Sequence, residues 1–242
     1  MAEPWFVEAF RSAYLEVYPH RDLEAARLEA RFLVERGVRG RVLDLCCGFG
    51  RHCAALRELG VEAFGLDLSR ELLGRARAQA GGLEGRLICG DARAIPFANA
   101  CLDSVVSLFS SFGYFGEAGD RSVLRQAGRV LRAGGLVVLD LMNPSQVRST
   151  LVAHSVTERD GIAIEERRSL SDGGRRVQKE VELRARDGST TSWREDVRLY
   201  EASELVPLLS DAGLDLRAQY GDFAGSHLSA ASPRQILVAS RR

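Results

Sequence analysis

One short segment, from Val42 to His52, constrains the fold of this chain more than any other. An apolar run reaches the acid Asp44, and Gly48 and Gly50 follow before a stretch that is compatible with a helix. Glycine adopts dihedral angles that other residues avoid, and it leaves room for a ligand beside the backbone. The first amide groups of a helix have no partner within it. The segment therefore predicts a buried strand, a tight turn and a helix start, which is where an open parallel sheet holds a nucleotide-like cofactor.

Length and charge narrow the class of protein. A chain of 242 residues is long enough for one α/β domain with an elaboration and a large core. The formal charge at pH 7 is zero, so bulk charge favours neither a nucleic acid nor a membrane as partner. Lys179 is the only lysine among the 33 lysine and arginine residues. The start of the chain lacks the features of a signal peptide and no apolar run approaches a membrane span, so we expect a cytoplasmic protein.

The cysteines also indicate a reducing compartment. There are five of them, Cys46, Cys47, Cys53, Cys89 and Cys101, without the spacing of a disulfide framework. The first three could be interpreted as zinc ligands. Adjacent cysteines at a strand end point to opposite faces, however, and no second pair with the C-x-x-C spacing follows. We therefore expect reduced thiols and no metal.

Apolar periodicity predicts alternating strands and helices through the middle of the chain. The predicted strands are 41–45, 61–66, 86–89, 102–109 and 135–141, and the predicted helices are 51–59, 69–79 and 119–132. Ser69 has the character of an N-cap, and Gly134-Gly135 is expected to end the last of these helices. Strands that are apolar almost throughout and alternate with helices are typical of a parallel sheet covered on both faces.

Different patterns flank this central part. On the N-terminal side, one amphipathic helix is predicted over 5–18, and Asp22 is expected to cap a second helix that runs to about Glu35 and ends at Gly37. After Asn143-Pro144 the alternation becomes typical of β-strands. The C-terminal predictions are a three-stranded antiparallel insertion within 156–200 with turns at 172–174 and 187–188, a helix at 203–212 ended by Gly213, and strands near 214–220 and 234–240.

A second acid, Asp67, ends the next predicted strand, about 20 residues beyond the glycine turn. A carboxylate at that point can accept hydrogen bonds from both ribose hydroxyls of an adenosine. The alternative is an acid that stabilises a helix N-terminus beside Ser69. The glycine turn upstream favours the ribose role. A dinucleotide fingerprint, G-x-G-x-x-G/A, fits only in part, because its third position is Cys53 and no second nucleotide-binding half is evident.

Five ordered motifs carry a family resemblance. The stretch Asp44-Leu45-Cys46-Cys47-Gly48-Phe49-Gly50 resembles the D/E-x-G-x-G-x-G motif of class I S-adenosylmethionine-dependent methyltransferases, of the small-molecule type. Asp67 matches the ribose-binding acid of that family. The remaining similarities are Gly90-Asp91-Ala92 after the third strand, Cys101 to Phe109 as the fourth strand with Asp103 before it, and Leu131 to Val138 as the "L-x-P-G-G" turn and fifth strand. Cys46 replaces the first glycine of the motif, and Ala133 replaces the proline.

The resemblance implies a Rossmann-like α/β fold, with a seven-stranded, mostly parallel sheet and an antiparallel β insertion after the fifth strand. We expect one methyltransferase domain over 1–242. Its expected parts are an N-terminal helical cap at 1–38, a cofactor-binding core at 39–143, an antiparallel β insertion or lid at 150–200, and a C-terminal helix and final strands at 201–242.

The resemblance further implies S-adenosylmethionine as cofactor, with its methionine part over the glycine turn and its adenine near Leu68. The N-terminal helix would lay Tyr14 and Tyr18 across the cofactor, and Arg21 would meet the methionine carboxylate. The candidate cofactor-binding residues are Asp44, Gly48, Gly50, Arg51, Asp67, Leu68, Asp91, Ala92, Leu108, Tyr14, Tyr18 and Arg21.

Ordinary structural roles remain open for several of these residues. Tyr14 and Tyr18 could belong to an aromatic core stripe. Arg21, and also Arg51 with its neighbour His52, could be solvated surface residues. Asp103, for its part, could simply start a strand and cap a turn.

The acceptor site is less well defined by the sequence. The segment Ser110 to Phe115 follows the fourth strand, where methyltransferases place residues that face the methyl group, although an aromatic loop can also be ordinary packing. The candidates for the substrate pocket are Tyr114, Phe112, Arg198, Tyr200 and Asp222, followed by Trp193, Tyr220 and His227. His154 and His227 are more typical of structural or solvated histidines, and the sequence identifies no general base.

The predicted function is direct methyl transfer from S-adenosylmethionine to an N, O or C nucleophile of a small molecule. The alternatives are an RNA- or protein-directed methyltransferase, a non-catalytic S-adenosylmethionine-binding module and, last, a dehydrogenase. A nucleic-acid substrate would use a basic surface at Arg167, Arg168, Arg175 and Arg176, although glutamates are interspersed there. The missing N/D-P-P-Y/F motif argues against a base amine as acceptor. The sequence indicates neither the acceptor nor the oligomeric state.

Overall fold

A computed structural model describes residues 4–18, 22–79 and 83–242. The helices are α1 (Trp5–Ala9), α2 (Tyr14–Val17), α3 (Leu23–Glu35), α4 (Arg51–Glu58), α5 (Arg70–Gln79), α6 (Gly116–Val130), α7 (Pro144–Thr150) and α8 (Ala202–Asp211). The strands are β1 (Arg41–Leu45), β2 (Glu62–Asp67), β3 (Leu87–Cys89), β4 (Leu102–Ser107), β5 (Leu131–Met142), β6 (His154–Arg159), β7 (Ile162–Ser171), β8 (Arg176–Arg184), β9 (Thr190–Arg198), β10 (Leu214–Tyr220) and β11 (Arg234–Arg241).

Seven strands form the main sheet in the order β10-β11-β5-β4-β1-β2-β3. The strands from β5 to β3 pair in parallel, whereas β11 and β10 are antiparallel to their neighbours. The chain order reverses between β1 and β4, and a crevice opens at that point beyond the carboxyl ends of the strands. The Rossmann-like, mostly parallel seven-stranded sheet is therefore confirmed.

Apolar side chains on both faces of the central strands explain why helices cover both sides. On one face Leu43 and Val105 are buried in a cluster that includes Leu124 of α6. On the other face Val42 and Val106 are buried in a second cluster, which reaches α3, α4 and α5. Burial on both faces requires strands that are apolar almost throughout, and this is the pattern that the sequence carries.

A second sheet, the insertion sheet, consists of β6 to β9 in antiparallel order. The prediction of three strands was wrong, because β6 and β7 form a hairpin of their own. Asp160 and Gly161 make the turn between them with φ values of 50° and 76°. An Asp-Gly pair between two alternating runs is a hairpin signal, so the sequence did contain the information for the fourth strand.

The N-terminal helix is also divided. The prediction of one helix over 5–18 was wrong, because the backbone leaves helical geometry at Phe10, with φ −95° and ψ 62°. The break lets α1 and α2 both pack on the insertion sheet, where Ala9 and Val17 join the cluster around Trp193. The next helix begins as predicted, since Asp22 Oδ1 accepts a hydrogen bond of 2.8 Å from the backbone amide of Ala25.

One correction concerns the start of β5. Gly134-Gly135 does not end α6, because that helix stops at Val130 and the buried Leu131 already pairs with Leu102. The residues between Leu131 and Leu136 bulge out of the strand, and Gly134 has a φ of 74° there.

Helix α7 was not predicted, although Pro144 occupies its first turn. The side chain of Asn143 caps this helix by accepting a hydrogen bond of 3.2 Å from the amide of Ser145. In the part of the chain that the structure describes, no helix combines the length and the apolar character needed to span a membrane.

Candidate active site

The turn after β1 has left-handed backbone geometry at three positions. The φ values are 59° at Cys46, 56° at Gly48 and 77° at Gly50. A cysteine in this conformation costs roughly 1–2 kcal/mol relative to glycine, so the turn tolerates the replacement of the first motif glycine. A Cβ at Gly50 would lie 3.0 Å from Cδ1 of Leu83, which ties this glycine to packing under the turn.

Two thiols fill the space beneath the turn. A Cβ added at Gly65 of β2 would lie 2.6 Å from Sγ of Cys47 and 3.0 Å from Sγ of Cys53. Their mutual hydrogen bond and their burial raise the pKa of the Cys47 thiol well above its usual value. These cysteines therefore act as packing groups. Within residues 4–18, 22–79 and 83–242, no group of three His, Cys, Asp or Glu side chains could hold a metal ion.

Asp67 stands at the junction of two cavities. Its Oδ2 accepts a hydrogen bond of 2.7 Å from the Gly48 amide, and its Oδ1 accepts one of 2.8 Å from the Ser69 amide. Burial raises the pKa of this carboxyl group, against the effect of those hydrogen bonds. Asp67 lines both a cavity of about 230 Å³ and a cavity of about 70 Å³, and together we call them the cofactor crevice.

The smaller part of the crevice is lined by buried charged side chains among apolar ones, and we call it the polar part. Asp44 is buried there, and burial raises the pKa of its carboxyl group to about 7, although the nearby Arg51 acts in the opposite direction. Nη1 of Arg51 lies 2.9 Å from Oε2 of Glu29, but among the residues that the structure describes this buried nitrogen has no hydrogen-bond partner. One acid and one unsatisfied guanidinium nitrogen suit the ammonium and carboxylate groups of a bound amino acid.

His52 is buried beside this polar part, 2.5 Å from Glu29 Oε2 through its Nε2. Burial lowers the pKa of the imidazole, with a smaller contribution from Arg51. Neither Arg51 nor His52 is therefore the solvated surface residue of the alternative interpretation.

The larger part of the crevice is mostly apolar. Leu68, Ala92, Phe6 and Phe115 contribute to its lining. Asp91 also lies there and pairs with Arg93 at 2.6 Å, which lowers the pKa of its carboxyl group. An apolar part, the acid Asp67 and a part with charged side chains follow one another in the order that adenine, ribose and methionine require, so the crevice fits S-adenosylmethionine.

A third and larger cavity, of about 650 Å³, adjoins the crevice; we call it the acceptor cavity. Phe10, Tyr14, Phe109 and Tyr114 line both this cavity and the polar part of the crevice. Other walls come from α7 and from the inner face of the insertion sheet. Its charged lining residues are Glu166, Arg168, Lys179, Glu195 and Arg234.

A strained turn separates the crevice from the acceptor cavity. Phe109 and Ser110 have φ values of 56° and 61°, which are costly for residues other than glycine. Asp140 Oδ2 accepts a hydrogen bond of 2.7 Å from the Phe109 amide. Arg234 donates to Asp140 Oδ1 at 2.7 Å and to Ser110 Oγ at 2.9 Å. This ion pair holds the turn and places the Phe109 ring between the two spaces. No sequence pattern indicates this ion pair, because its members lie far apart in the chain.

The structure brings together most of the predicted cofactor residues. Tyr18 lies in the acceptor cavity instead, and Gly50 faces the packing under the turn. Arg21 lies outside the described residues. The predicted cofactor residues that do line the crevice are Asp44, Gly48, Arg51, Asp67, Leu68, Asp91, Ala92, Leu108 and Tyr14. Phe10, which lines all three cavities, was missed, although the apolar spacing of the N-terminal segment contained it.

Of the five substrate-pocket candidates, only Tyr114 lines the cavities described above. Phe112 and Tyr200 are buried against each other in the core, with ring centroids 5.4 Å apart. Arg198 pairs with Glu204 at 2.7 Å. Asp222 accepts hydrogen bonds within its own exposed loop. The backbone of Gly113 pairs with Arg198, and this pairing turns Phe112 into the core.

The secondary candidates have structural contacts. Trp193 packs in the cluster under α1, and Tyr220 packs against Phe32. His154 pairs with Glu165 at 2.9 Å, and His227 makes a backbone bridge to Tyr220.

Asp103 and the suggested basic surface also have structural explanations. Asp103 accepts a hydrogen bond of 2.6 Å from the Arg41 amide, at the end of the sheet opposite the crevice. The arginines at 167, 168, 175 and 176 each pair with an acid of the insertion sheet or its turn, so their charge is balanced locally.

Comparisons with known proteins agree with this geometry. A family model described as "Methyltransferase domain" matches residues 42–135. A demethylmenaquinone methyltransferase from Thermus thermophilus is 38% identical over 109 residues, which are 43% of this chain and 48% of that protein. The chain thus spans about half the length of that relative.

Solved structures match almost the whole chain. An S-adenosylmethionine-dependent methyltransferase from Clostridium acetobutylicum gives a TM-score of 0.81 at 17% identity, with coverage of 95% and 98% of the two chains. CalS10, an amino pentose methyltransferase from Micromonospora echinaspora solved with S-adenosylmethionine bound, gives 0.68 at 22% identity, with coverage of 96% and 97%. Residues 42–135 thus match a methyltransferase domain, and the fold of the whole chain resembles that of S-adenosylmethionine-dependent methyltransferases of known structure.

Proposed function

We propose that this protein transfers a methyl group from S-adenosylmethionine to a nitrogen, oxygen or carbon nucleophile of a small molecule. The observation that carries the proposal is the position of Asp67 between the two parts of the cofactor crevice, with the acceptor cavity directly beside them. Two adjoining spaces, each lined by apolar groups with a few charged ones, suit one constant cofactor and one variable acceptor.

Each side chain of the crevice has a proposed role. Asp67 accepts hydrogen bonds from the ribose, Asp44 meets the methionine ammonium, and Arg51 meets the carboxylate. The sulfonium supplies the activated methyl group, so the protein mainly has to align the reacting atoms and exclude water. The Phe109 turn and Tyr114 stand where crevice and cavity meet, and they would align the acceptor with the methyl group.

The architecture supports one domain over 1–242, in which the N-terminal helical cap at 1–38 and the insertion sheet close the site. Both contribute lining residues to the acceptor cavity, such as Tyr14 and Val177. We place the protein in the cytoplasm, because all five cysteines are free thiols. The locally balanced arginines favour a small molecule over RNA.

Titration calorimetry with S-adenosylhomocysteine tests the proposal. We expect wild-type protein to bind it and to ignore NADH. Asp67→Ala should weaken binding about 100-fold, because a buried partner of two ribose hydroxyls is lost. Asp103→Ala, at the opposite end of the sheet, is the matched control and should bind like wild type. Equal affinity for wild type and Asp67→Ala would refute the ribose assignment. Preferential binding of NADH would refute the function.

A further inference from the structure

The two acids that line the acceptor cavity, Glu166 and Glu195, differ in how closely they are paired with cations. Glu166 makes contacts of 2.5 Å with Lys179 and 2.6 Å with Arg168, so one carboxylate satisfies two cations. Arg234 is paired with Asp140 at 2.7 Å. The remaining acid is Glu195, whose nearest cation among the described residues is Lys179 at 4.0 Å.

Glu195 is held in place mainly by neutral donors. The Tyr18 hydroxyl lies 3.2 Å from both of its carboxylate oxygens, and the indole Nε1 of Trp193 donates to Oε1 at 3.1 Å. The Tyr18 oxygen in turn accepts a hydrogen bond of 2.5 Å from Lys179. A carboxylate that is fixed in this way, lines a cavity and has its nearest cation among the described residues at 4.0 Å attracts a positively charged ligand group.

Lysine at position 179 supports a specific role for this arrangement. Among the 33 lysine and arginine residues of the chain, Lys179 is the only lysine, and it is buried at the acceptor cavity. Its compact ammonium group reaches Glu166 and Tyr18 at 2.5 Å each. It thereby occupies Glu166 and orients Tyr18 toward Glu195, which makes Lys179 a positioning residue.

The other walls of the cavity define the rest of the ligand. They are largely hydrocarbon, with Val17, Met142, Val177 and Val197 among them. The rings of Tyr14, Phe109 and Tyr114 lie on the side of the cofactor crevice, and aromatic faces attract cations. An apolar body with a single cationic group matches this lining.

We propose that the acceptor is an amine with an apolar body, which enters as an ammonium and is bound and deprotonated by Glu195. The inference rests on the proposed methyl-transfer function. Glu195 takes one proton from the ammonium and leaves a neutral amine. The nitrogen lone pair then forms the N–C bond while the C–S bond breaks and its electron pair stays on sulfur. The proton on Glu195 later passes to solvent.

The first test measures binding to full-length protein saturated with S-adenosylhomocysteine. The probes are matched pairs: cyclohexylamine with cyclohexanol, 2-phenylethylamine with 2-phenylethanol, and octylamine with octanol. In wild type at least one amine should bind about tenfold more tightly than its alcohol. Glu195→Gln should abolish that preference, since the amide keeps the shape and loses the charge. Glu180→Gln, on the exposed outer face of β8, is the control and should retain it.

The second test measures transfer of a labelled methyl group to the same amines as pH rises. The deficit of Glu195→Gln should shrink as the pH approaches the pKa of the free amine, because the amine then arrives already deprotonated. Among the residues that the structure describes, the groups in contact with Glu195 are Tyr18, Trp193 and Lys179, with Glu166 beyond Lys179, and Glu180→Gln leaves all of them intact.

The outcomes separate the two proposals. If S-adenosylhomocysteine does not bind wild type, the proposed function fails. If it binds but the alcohols equal the amines, or no amine binds, or the preference survives in Glu195→Gln, only the amine inference is overturned. Unchanged affinity of Glu195→Gln for S-adenosylhomocysteine verifies that this variant is folded.

Discussion

The cofactor crevice and the acceptor cavity lie side by side, yet they are built in different ways. Most of the crevice comes from consecutive strand ends and turns between Asp44 and Phe115. The acceptor cavity joins segments that are far apart in the chain. Tyr18, for example, contacts Lys179 and Glu195, which follow it by 161 and 177 positions. Local sequence can therefore specify the crevice, whereas the cavity exists only once the insertion sheet packs on α1 and α2.

After Asp67→Ala, Asp44→Asn should produce the largest effect, and it should be confined to the crevice. Losing a charged partner of the cofactor ammonium should weaken S-adenosylhomocysteine binding roughly 10- to 100-fold at about pH 8. Because the Asp44 pKa is about 7, wild-type affinity should rise with pH up to that value. Calorimetry at several pH values should find this rise absent in the variant.

Asp44→Asn should weaken S-adenosylhomocysteine binding, but it should stabilise the ligand-free fold. The folded-state pKa is raised from 3.8 to about 7, so the native state binds the extra proton and wild type loses stability as pH rises through that window. The ligand-free variant should therefore gain Tm relative to wild type between about pH 5 and pH 8. A Tm difference that does not vary with pH would contradict the raised pKa of Asp44.

Gly65→Ala should disturb the crevice from below. Its Cβ would lie 2.6 Å from Cys47 Sγ and 2.9 Å from Leu87 Cδ2. Overpacking of this kind costs about 1–3 kcal/mol and should shift the cofactor turn. Thermal unfolding and S-adenosylhomocysteine affinity should both decline. Gly74→Ala in α5 is the control, since nothing lies within 4 Å of its Cβ, and it should not destabilise the protein.

Tyr18→Phe should have a smaller effect, on the acceptor cavity alone. The variant removes the hydroxyl between Lys179 and Glu195, at a cost of about 1 kcal/mol. We expect a several-fold loss of amine affinity and unchanged S-adenosylhomocysteine affinity. A loss of S-adenosylhomocysteine binding would instead return Tyr18 to the cofactor site that the sequence predicted for it.

Cys46→Gly should have the smallest effect. The φ of 59° at Cys46 favours glycine by roughly 1–2 kcal/mol, but glycine loses about 0.5–1 kcal/mol more in chain entropy on folding, so the substitution should raise the free energy of unfolding by about 1 kcal/mol at most. Urea unfolding measures this change. A clear destabilisation would show that the Cys46 side chain contributes more by packing than its backbone conformation costs.

The sequence alone determined the parts of this protein that depend on neighbours in the chain. Apolar periodicity and the glycine turn predicted the order of strands, and the spacing of Asp44 and Asp67 predicted which acids meet in the crevice. This works because parallel strands place their carboxyl ends at one edge of the sheet.

Tertiary structure decided the rest. Phe112 and Tyr200 were candidates for the acceptor site, but packing buried them in the core. Glu195 was not a candidate, because the sequence around it is that of an ordinary alternating β-strand. Its contacts, Tyr18 and Lys179, lie far away in the chain. The physical reason is that the ion pairs of a cavity depend on which distant side chains come into contact. Here only the packing of the insertion sheet on the N-terminal helices brings those side chains together.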